Sequence, residues 1–165
     1  LAREDHAPAR APHVAVDLAA LARDVVAAHA GIAAAKDVDL GAEHLEALTV
    51  EGDSGALATL AANLVDNALR YTPPGGHVDV IVERRDGAPA LIVRDDGPGI
   101  PAAERAQVVE RFARGSHADA PGSGLGLAIV ERIAERHDAQ VTLADGPGGR
   151  GLEAVVRFAG ASVSR

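Results

Sequence analysis

The sequence has no cysteine, methionine or tryptophan. Without cysteine there is no disulfide framework, no thiolate nucleophile and no thiolate metal site. Aromatic residues are nearly as scarce at 2%, and Tyr71, Phe112 and Phe158 are the whole set. Ring packing is therefore not a general device here, and the position of each ring carries information. Positive charge is also in deficit, with 16 Lys and Arg against 24 Asp and Glu and a formal net charge of -8. That argues against sequence-independent binding to nucleic acid, which needs a basic surface. A polyanionic ligand would need its own local cations. The absence of cysteine suits a cytosolic domain; no apolar run is long enough to span a bilayer and no signal peptide is visible. The chain begins at Leu1, so a fragment of something longer is expected.

What is present is globular. Apolar residues make up 47% of 165 residues, the composition and length of one ordinary domain with a single core. Residues 1–13, with Pro8 and Pro12, read as a linker, and Val14–Val16 as a short strand. Asp17 caps a helix with Leu18, Leu21, Val25 and Val26 on one face, closed near Gly31. Weak strand signals follow around Val38–Leu40 and Ala47–Val50. Asp53 then caps a helix from Ser54 to Tyr71, stopped by Pro73-Pro74-Gly75-Gly76. Val78, Val80 and Val82 alternate as in a half-buried strand. Arg85-Asp86-Gly87-Ala88 turns the chain into a second strand, Ala90–Arg94. A rigid loop at 95–101, a short helical piece from Ala103 to Phe112 and a small, polar stretch at 113–123 come next. Gly124 to His137 reads as a helix with Leu127, Val130, Ile133 and Ala134 inward. Gln140–Ala144 and Leu152–Phe158 read as strands joined by a Gly-rich turn. Helices interleaved with antiparallel strand pairs imply one mixed sheet covered on one face by helices.

The helix from Ser54 carries two stripes. Leu57, Leu60, Leu64 and Ala68 recur at helical spacing and make a core seam. Beside it Asn63, Asn67 and Arg70 share a second face. Asn is a poor helix former and a poor core residue. On this stretch alone a solvated helix edge and a ligand-binding face are equally good readings. Gly122-Ser123-Gly124-Leu125-Gly126-Leu127 runs into a helix, where bare backbone amides and the helix dipole suit a phosphate chain. It is not a P-loop, since no Gly-Lys-Ser/Thr occurs in the chain. Gly146, Gly148 and Gly151 formally match a dinucleotide fingerprint. They lead into a strand where that fingerprint needs a helix, so a wide hairpin turn is the reading. Asp95-Asp96-Gly97-Pro98-Gly99 is by itself a turn, or else a carboxylate at a strand end that accepts from a ligand amine. The seven histidines are scattered without ligand spacing.

Taken in order, Asn-Leu-x-x-Asn-Ala-x-x-Tyr, Asp-x-Gly-x-Gly, Arg-Phe-x-Arg and Gly-x-Gly-Leu-Gly-Leu resemble the N box, first glycine box, F box and second glycine box of sensor histidine kinase catalytic domains. These belong to the ATPase superfamily shared with DNA gyrase, the mismatch-repair clamp proteins and a heat-shock chaperone. The resemblance covers nearly the whole chain. It implies an α/β (α+β) two-layer sandwich, the Bergerat ATP-binding fold, with about five mostly antiparallel strands and about three helices. It implies a catalytic domain over 14–160, preceded by the tail of a dimerisation helix and linker (1–13) and followed by a C-terminal tail (161–165).

The implied cofactors are ATP and Mg²⁺. Asn67 would give its side-chain oxygen to the metal, with Asn63 near the same phosphates. Arg70 would neutralise phosphate oxygens, and Tyr71 would line the adenine or ribose. Asp95 would accept from the adenine amino group, with Gly97, Gly99 and Ile100 shaping that pocket. Residues 101–123 would form a lid anchored by Phe112, with Arg114 and Arg111 approaching the terminal phosphate. Gly122, Ser123, Gly124, Leu125, Gly126 and Leu127 would open the phosphate-side helix, and Gly151 would turn the chain near the adenine.

The resemblance further implies transfer of the γ-phosphoryl group to a histidine on a dimerisation domain not in this chain, for relay to a response regulator. The full-length protein would be a homodimer in the cell membrane with this domain on the cytoplasmic side, the fragment itself a monomer. The alternative is an ATP-hydrolysing clamp or chaperone-type module, or a non-catalytic nucleotide-binding domain of the same fold. Two departures stand out. The usual Gly-x-Gly-Thr-x-Phe reads Gly149-Arg150-Gly151-Leu152-Glu153-Ala154, so a polar contact near the adenine is missing at Leu152. The phosphoacceptor-histidine motif is nowhere in the chain.

Overall fold

Asp17 and Asp53 each start a helix, because each carboxylate accepts an amide that the first turn leaves unpaired. In the computed structural model, which describes residues 11–98 and 125–159, Asp17 accepts from the Ala20 N–H at 3.2 Å and Asp53 from the Ala56 N–H at 3.1 Å. Strand β1 (Val14–Asp17) leads into helix α1 (Leu18–Ala35). Strands β2 (Asp39–Gly41) and β3 (Thr49–Gly52) precede helix α2 (Ser54–Tyr71). Strands β4 (His77–Arg85) and β5 (Ala88–Asp95) form a hairpin. Helix α3 (Leu125–Arg136) and strands β6 (Ala139–Asp145) and β7 (Leu152–Phe158) complete the described chain. The expected helical piece from Ala103 to Phe112 and the stretch at 113–123 lie outside the described residues.

Helix α1 does not close near Gly31. It continues to Ala35, since a glycine with open space around it costs a helix far less than a proline would. The actual stop is a Schellman arrangement around Asp37, whose φ is 57°. The Asp37 N–H donates to the Ala34 carbonyl at 3.1 Å and the Val38 N–H to the Ala33 carbonyl at 3.0 Å. The same helix corrects the expectation that no segment could span a bilayer. By length and composition Leu18–Ala35 is apolar enough, with a mean hydropathy of 1.4. Its apolarity is largely alanine, and Leu18, Ala22, Val25 and Ala33 face the domain core.

Five strands form one sheet in the order β2-β4-β5-β7-β6, parallel only between β2 and β4. Strands β1 and β3 do not join it; they pair with each other as an antiparallel ribbon. Alternation sorts the faces. Val78, Val80, Val82, Leu91, Val93, Ala154 and Val156 share a core with Leu57, Leu60, Leu64 and Val65 of α2 and Leu127 and Val130 of α3. Each such fully buried Leu or Val contributes roughly 1.5–3 kcal/mol. On the other face Ile81, Ala90, Ile92 and Val155 form a small second cluster. Ion pairs on that face link Glu153 to Arg94 at 2.8 Å and to Arg85 at 2.9 Å. Among the described residues the architecture is thus two layers, a mostly antiparallel sheet with three helices on one face.

Two turns aim the strands. Asp86 and Gly87 both have positive φ, 52° and 79°, as a two-residue type I′ hairpin demands. Their position fixes the β4–β5 register from Arg85↔Ala88 to Val78↔Asp95. Between β6 and β7 a short 3₁₀ turn at Pro147–Gly149 makes the reversal, and the Gly146 N–H donates to the Gly151 carbonyl at 3.3 Å. The formal dinucleotide fingerprint is a hairpin turn.

Candidate functional site

The site is built where α2, α3, the end of β5 and the β6–β7 turn meet. Helix α2 presents Asn63 and Asn67, both partly buried, with Arg70 exposed in its last turn. The Asn63 amide is oriented by its own helix, its Nδ2 donating to the Thr59 carbonyl at 2.9 Å. That leaves Oδ1 facing α3, where a Cβ placed on Gly126 would lie 3.2 Å from it. A bare glycine at 126 therefore lets the start of α3 close onto the amide stripe. Leu127 sends its side chain into the main core, so whatever it offers a ligand comes from its backbone. Leu125 is the first residue of α3.

At the other end of α2, Tyr71 is the last helical residue, with its side chain 53% exposed. Its carbonyl would lie 3.1 Å from a Cβ on Gly97, so the loop after β5 rests on the C-terminus of the amide helix. Asp95, the last residue of β5, is buried and accepts the Gly97 N–H at 3.0 Å. Burial pushes its carboxyl above the usual range. Hydrogen bonds from the backbone of Gly97 and Leu152 pull the other way, and the neighbouring Asp96 charge adds to the rise. Gly151 lies against it with φ at 74°, and a Cβ there would collide with the Asp95 carbonyl oxygen. The strand register pairs Asp95 with Leu152.

The structure therefore brings together Asn63 with Gly126, Tyr71 with Gly97, and Asp95 with Gly97 and Gly151. Gly99, Ile100, Phe112, Arg114, Gly122, Ser123 and Gly124, with Arg111, lie outside the described residues. Two polar contacts beside the site were missed in the sequence. Asp66, one residue before Asn67, faces α1, where its Oδ1 lies 2.9 Å from His29 Nε2; His29 Nδ1 lies 2.8 Å from the Val25 carbonyl. Asp96 is held by His77 through backbone and ring. No sequence period marks the first contact, which joins two helices 37 residues apart in the chain (66 minus 29). The second was within reach, because the Asp86-Gly87 turn fixes the register, and one further step opposes His77 to Asp96.

A buried carboxylate at a strand end bounded by glycines, with an amide-bearing helix in the other layer of a two-layer sandwich, is the arrangement of an ATP-binding domain of the gyrase and histidine kinase kind. The chain belongs to the family of histidine kinase-, DNA gyrase B- and HSP90-like ATPases, whose family model matches residues 52–161. It is similar to the sensor protein kinase PmrB of Pseudomonas aeruginosa, 44% identical over 142 residues, covering 86% of this chain and 30% of that protein. Among solved structures, the mycobacterial sensor histidine kinase MprB superposes with a TM-score of 0.70 at 31% identity, covering 88% of this chain and 96% of that one. Full-length ShkA, solved in complex with AMPPNP, superposes with a TM-score of 0.70 at 28% identity, over 91% of this chain and 31% of its own. The chain thus spans about a third or less of the length of PmrB and ShkA.

Proposed function

We propose that this chain is the catalytic, ATP-binding domain of a two-component sensor histidine kinase. It passes the ATP γ-phosphoryl group to a histidine nitrogen on a dimerisation domain of the same protein, for relay to a response regulator, with ADP as the leaving group. The domain spans 14–160, since β1 and α1 share their core with α2 and the sheet although the family match begins at 52. ShkA, bound to an ATP analogue, supports nucleotide as the ligand. Asp95 accepts from the adenine amino group, and Gly97, Gly151 and the Tyr71 end of α2 form the walls around it. Asn63, Asn67, Arg70 and the start of α3 at Gly126 face the phosphates, and Arg114, which lies outside the described residues, is the further cation that the family resemblance implies for the terminal phosphate.

A magnesium ion arriving with the nucleotide fits this donor set, because a neutral amide such as Asn67 suffices where phosphates bring the negative charge. The protein's own part is positioning and charge stabilisation, which dominate phosphoryl transfer. The full-length protein is a homodimer in the cell membrane with this domain on its cytoplasmic side.

The observation that carries the kinase reading is Asn63, an amide at the seam with Gly126, at the position where the resemblance to the superfamily's hydrolases implies a water-activating glutamate. An amide cannot act as a general base. Asp66, the nearest carboxylate in sequence, is engaged by His29 of α1 and points about 100° around α2 from Asn67. The test uses ATP labelled on the γ-phosphate. The isolated chain should bind Mg–ATP without labelling itself or releasing phosphate at an appreciable rate. Its own upstream domain, when added, should acquire acid-labile, base-stable label. Rapid phosphate release by the chain alone, with no label on the added domain, returns it to the hydrolase branch.

A further inference from the structure

Three hydrogen bonds close the open end of the β4–β5 hairpin. The Asp96 N–H donates to the His77 carbonyl at 3.2 Å, the His77 N–H to Asp96 Oδ1 at 2.7 Å, and ring Nδ1 lies 2.8 Å from Asp96 Oδ2. Gly76 makes room for this clasp, since a Cβ there would lie 2.9 Å from Asp96 Oδ1 and collide with the Thr72 methyl. One residue before the clasp is the Asp95 carboxylate. One residue after it is Gly97, packed on the Tyr71 carbonyl. The nucleotide-facing loop is therefore gripped at its middle residue by a side chain from β4.

We propose that His77 is a positioning residue for the nucleotide site, its ring clasping Asp96 and so holding the Asp95–Gly97 loop against the end of α2, with nucleotide affinity depending on whether that ring is protonated. The proposal rests on the reading of Asp95 as the adenine acceptor. A loop fixed before binding loses less entropy when the ligand arrives.

The charges facing the ring are all acidic among the described residues. Asp96 stands opposite, Asp39 of β2 approaches Nε2 at 3.8 Å, and Asp79 sits two residues along β4, itself neighboured by Glu43 and Arg94. The Asp96 hydrogen bond, with its charge, holds His77 above the ordinary histidine value of 6.5. Burial pushes Asp96 up, but its bonds from His77 outweigh this and hold its carboxyl below the usual carboxylate range. The ion pair is thus complete just below pH 6.5 and is lost as pH rises through the raised His77 value. A neutral ring keeps at most an uncharged hydrogen bond to Asp96, and the His77 N–H stays in place. The pair is solvent-exposed, so the effect on affinity is modest, about two- to fivefold.

The experiment titrates Mg–AMPPNP into wild type, His77→Gln and Asp96→Asn by calorimetry between about pH 5.5 and 9, a range that brackets histidine titration. Ligand phosphates titrate at about pH 6 themselves, so the quantity read is the ratio of variant to wild-type Kd at each pH. For His77→Gln that ratio should be about two- to fivefold on the acid side and fall to near unity on the alkaline side, and Asp96→Asn should show the same convergence. By linkage, saturating AMPPNP should also raise the midpoint of the His77 ring protons followed by NMR. A pH-independent ratio, or a midpoint unmoved by nucleotide, overturns the clasp while leaving the nucleotide site standing. No AMPPNP binding by wild type at any pH overturns the nucleotide reading and the clasp together.

Discussion

Asp95 shows how a single residue can be set against the stability of its own fold. A carboxylate buried at a strand end prefers to be neutral, and burial raises its pKa accordingly. The fold holds less tightly while that charge is present, and the charge is what a ligand amine would seek. Asp95→Asn removes the buried charge but leaves one oxygen where the Gly97 and Leu152 amides had two. The two effects oppose each other at about 1 kcal/mol each, so the melting temperature of the nucleotide-free domain should stay within about 4 °C of wild type. Because the folded-state pKa is raised, acid relieves the same strain. The stability of wild type should gain on that of the variant as pH falls through the raised Asp95 value. Nucleotide affinity should drop by about tenfold or more, the worth of a charge-assisted hydrogen bond. Calorimetric titration and thermal melts on the same samples check both halves. An unchanged affinity for Mg–ATP rules out the adenine contact.

At the scale of elements, the β6–β7 hairpin offers a controlled comparison. Gly148 and Gly151 both adopt positive φ, 72° and 74°. A side chain at Gly148 would meet open space, whereas one at Gly151 would run into the Asp95 backbone. Gly148→Ala therefore carries only the left-handed backbone cost, about 1–2 kcal/mol. Gly151→Ala adds a collision that something must move to relieve, and what moves is the strand end bearing Asp95. It should lower the melting temperature more than Gly148→Ala and should weaken nucleotide binding, which Gly148→Ala should leave unchanged. Equal effects of the two substitutions on binding would show that the turn does not support the site.

At the scale of the whole molecule, a monomer in isolation is the outcome expected from the described residues. The large apolar side chains exposed among the described residues are Val14, Ile32, Tyr71 and Ile129, from four different places in the fold. No two of these four side chains come from the same element, which argues against one large apolar patch among the described residues. A formal net charge of -8 adds mutual repulsion. Sedimentation equilibrium at moderate salt should return the chain mass of 16.8 kDa. A concentration-dependent rise toward twice that mass would place a dimer contact within this domain.

The sequence by itself determined most of the described elements and the family. Capping carboxylates at Asp17 and Asp53, the apolar stripe of α2, the Asp86-Gly87 turn and the alternation of β4 are local signals, and local physics decides them. The boxed residues could be read in order for the same reason, since each box occupies one turn, cap or helix face. The stop of α1 was misplaced because glycine only weakens a helix, while the true end needed the left-handed Asp37 and the fit of Val38 beside Ala33. The pairing of β1 with β3 apart from the main sheet was likewise out of reach, as was the His29–Asp66 contact that ties Asp66 to α1. Only the tertiary structure sets Gly126 on Asn63, Gly97 on Tyr71 and Gly151 on Asp95. Such contacts depend on how helices and strands far apart in the chain pack on one another, and close packing between distant segments leaves no period in the sequence to read.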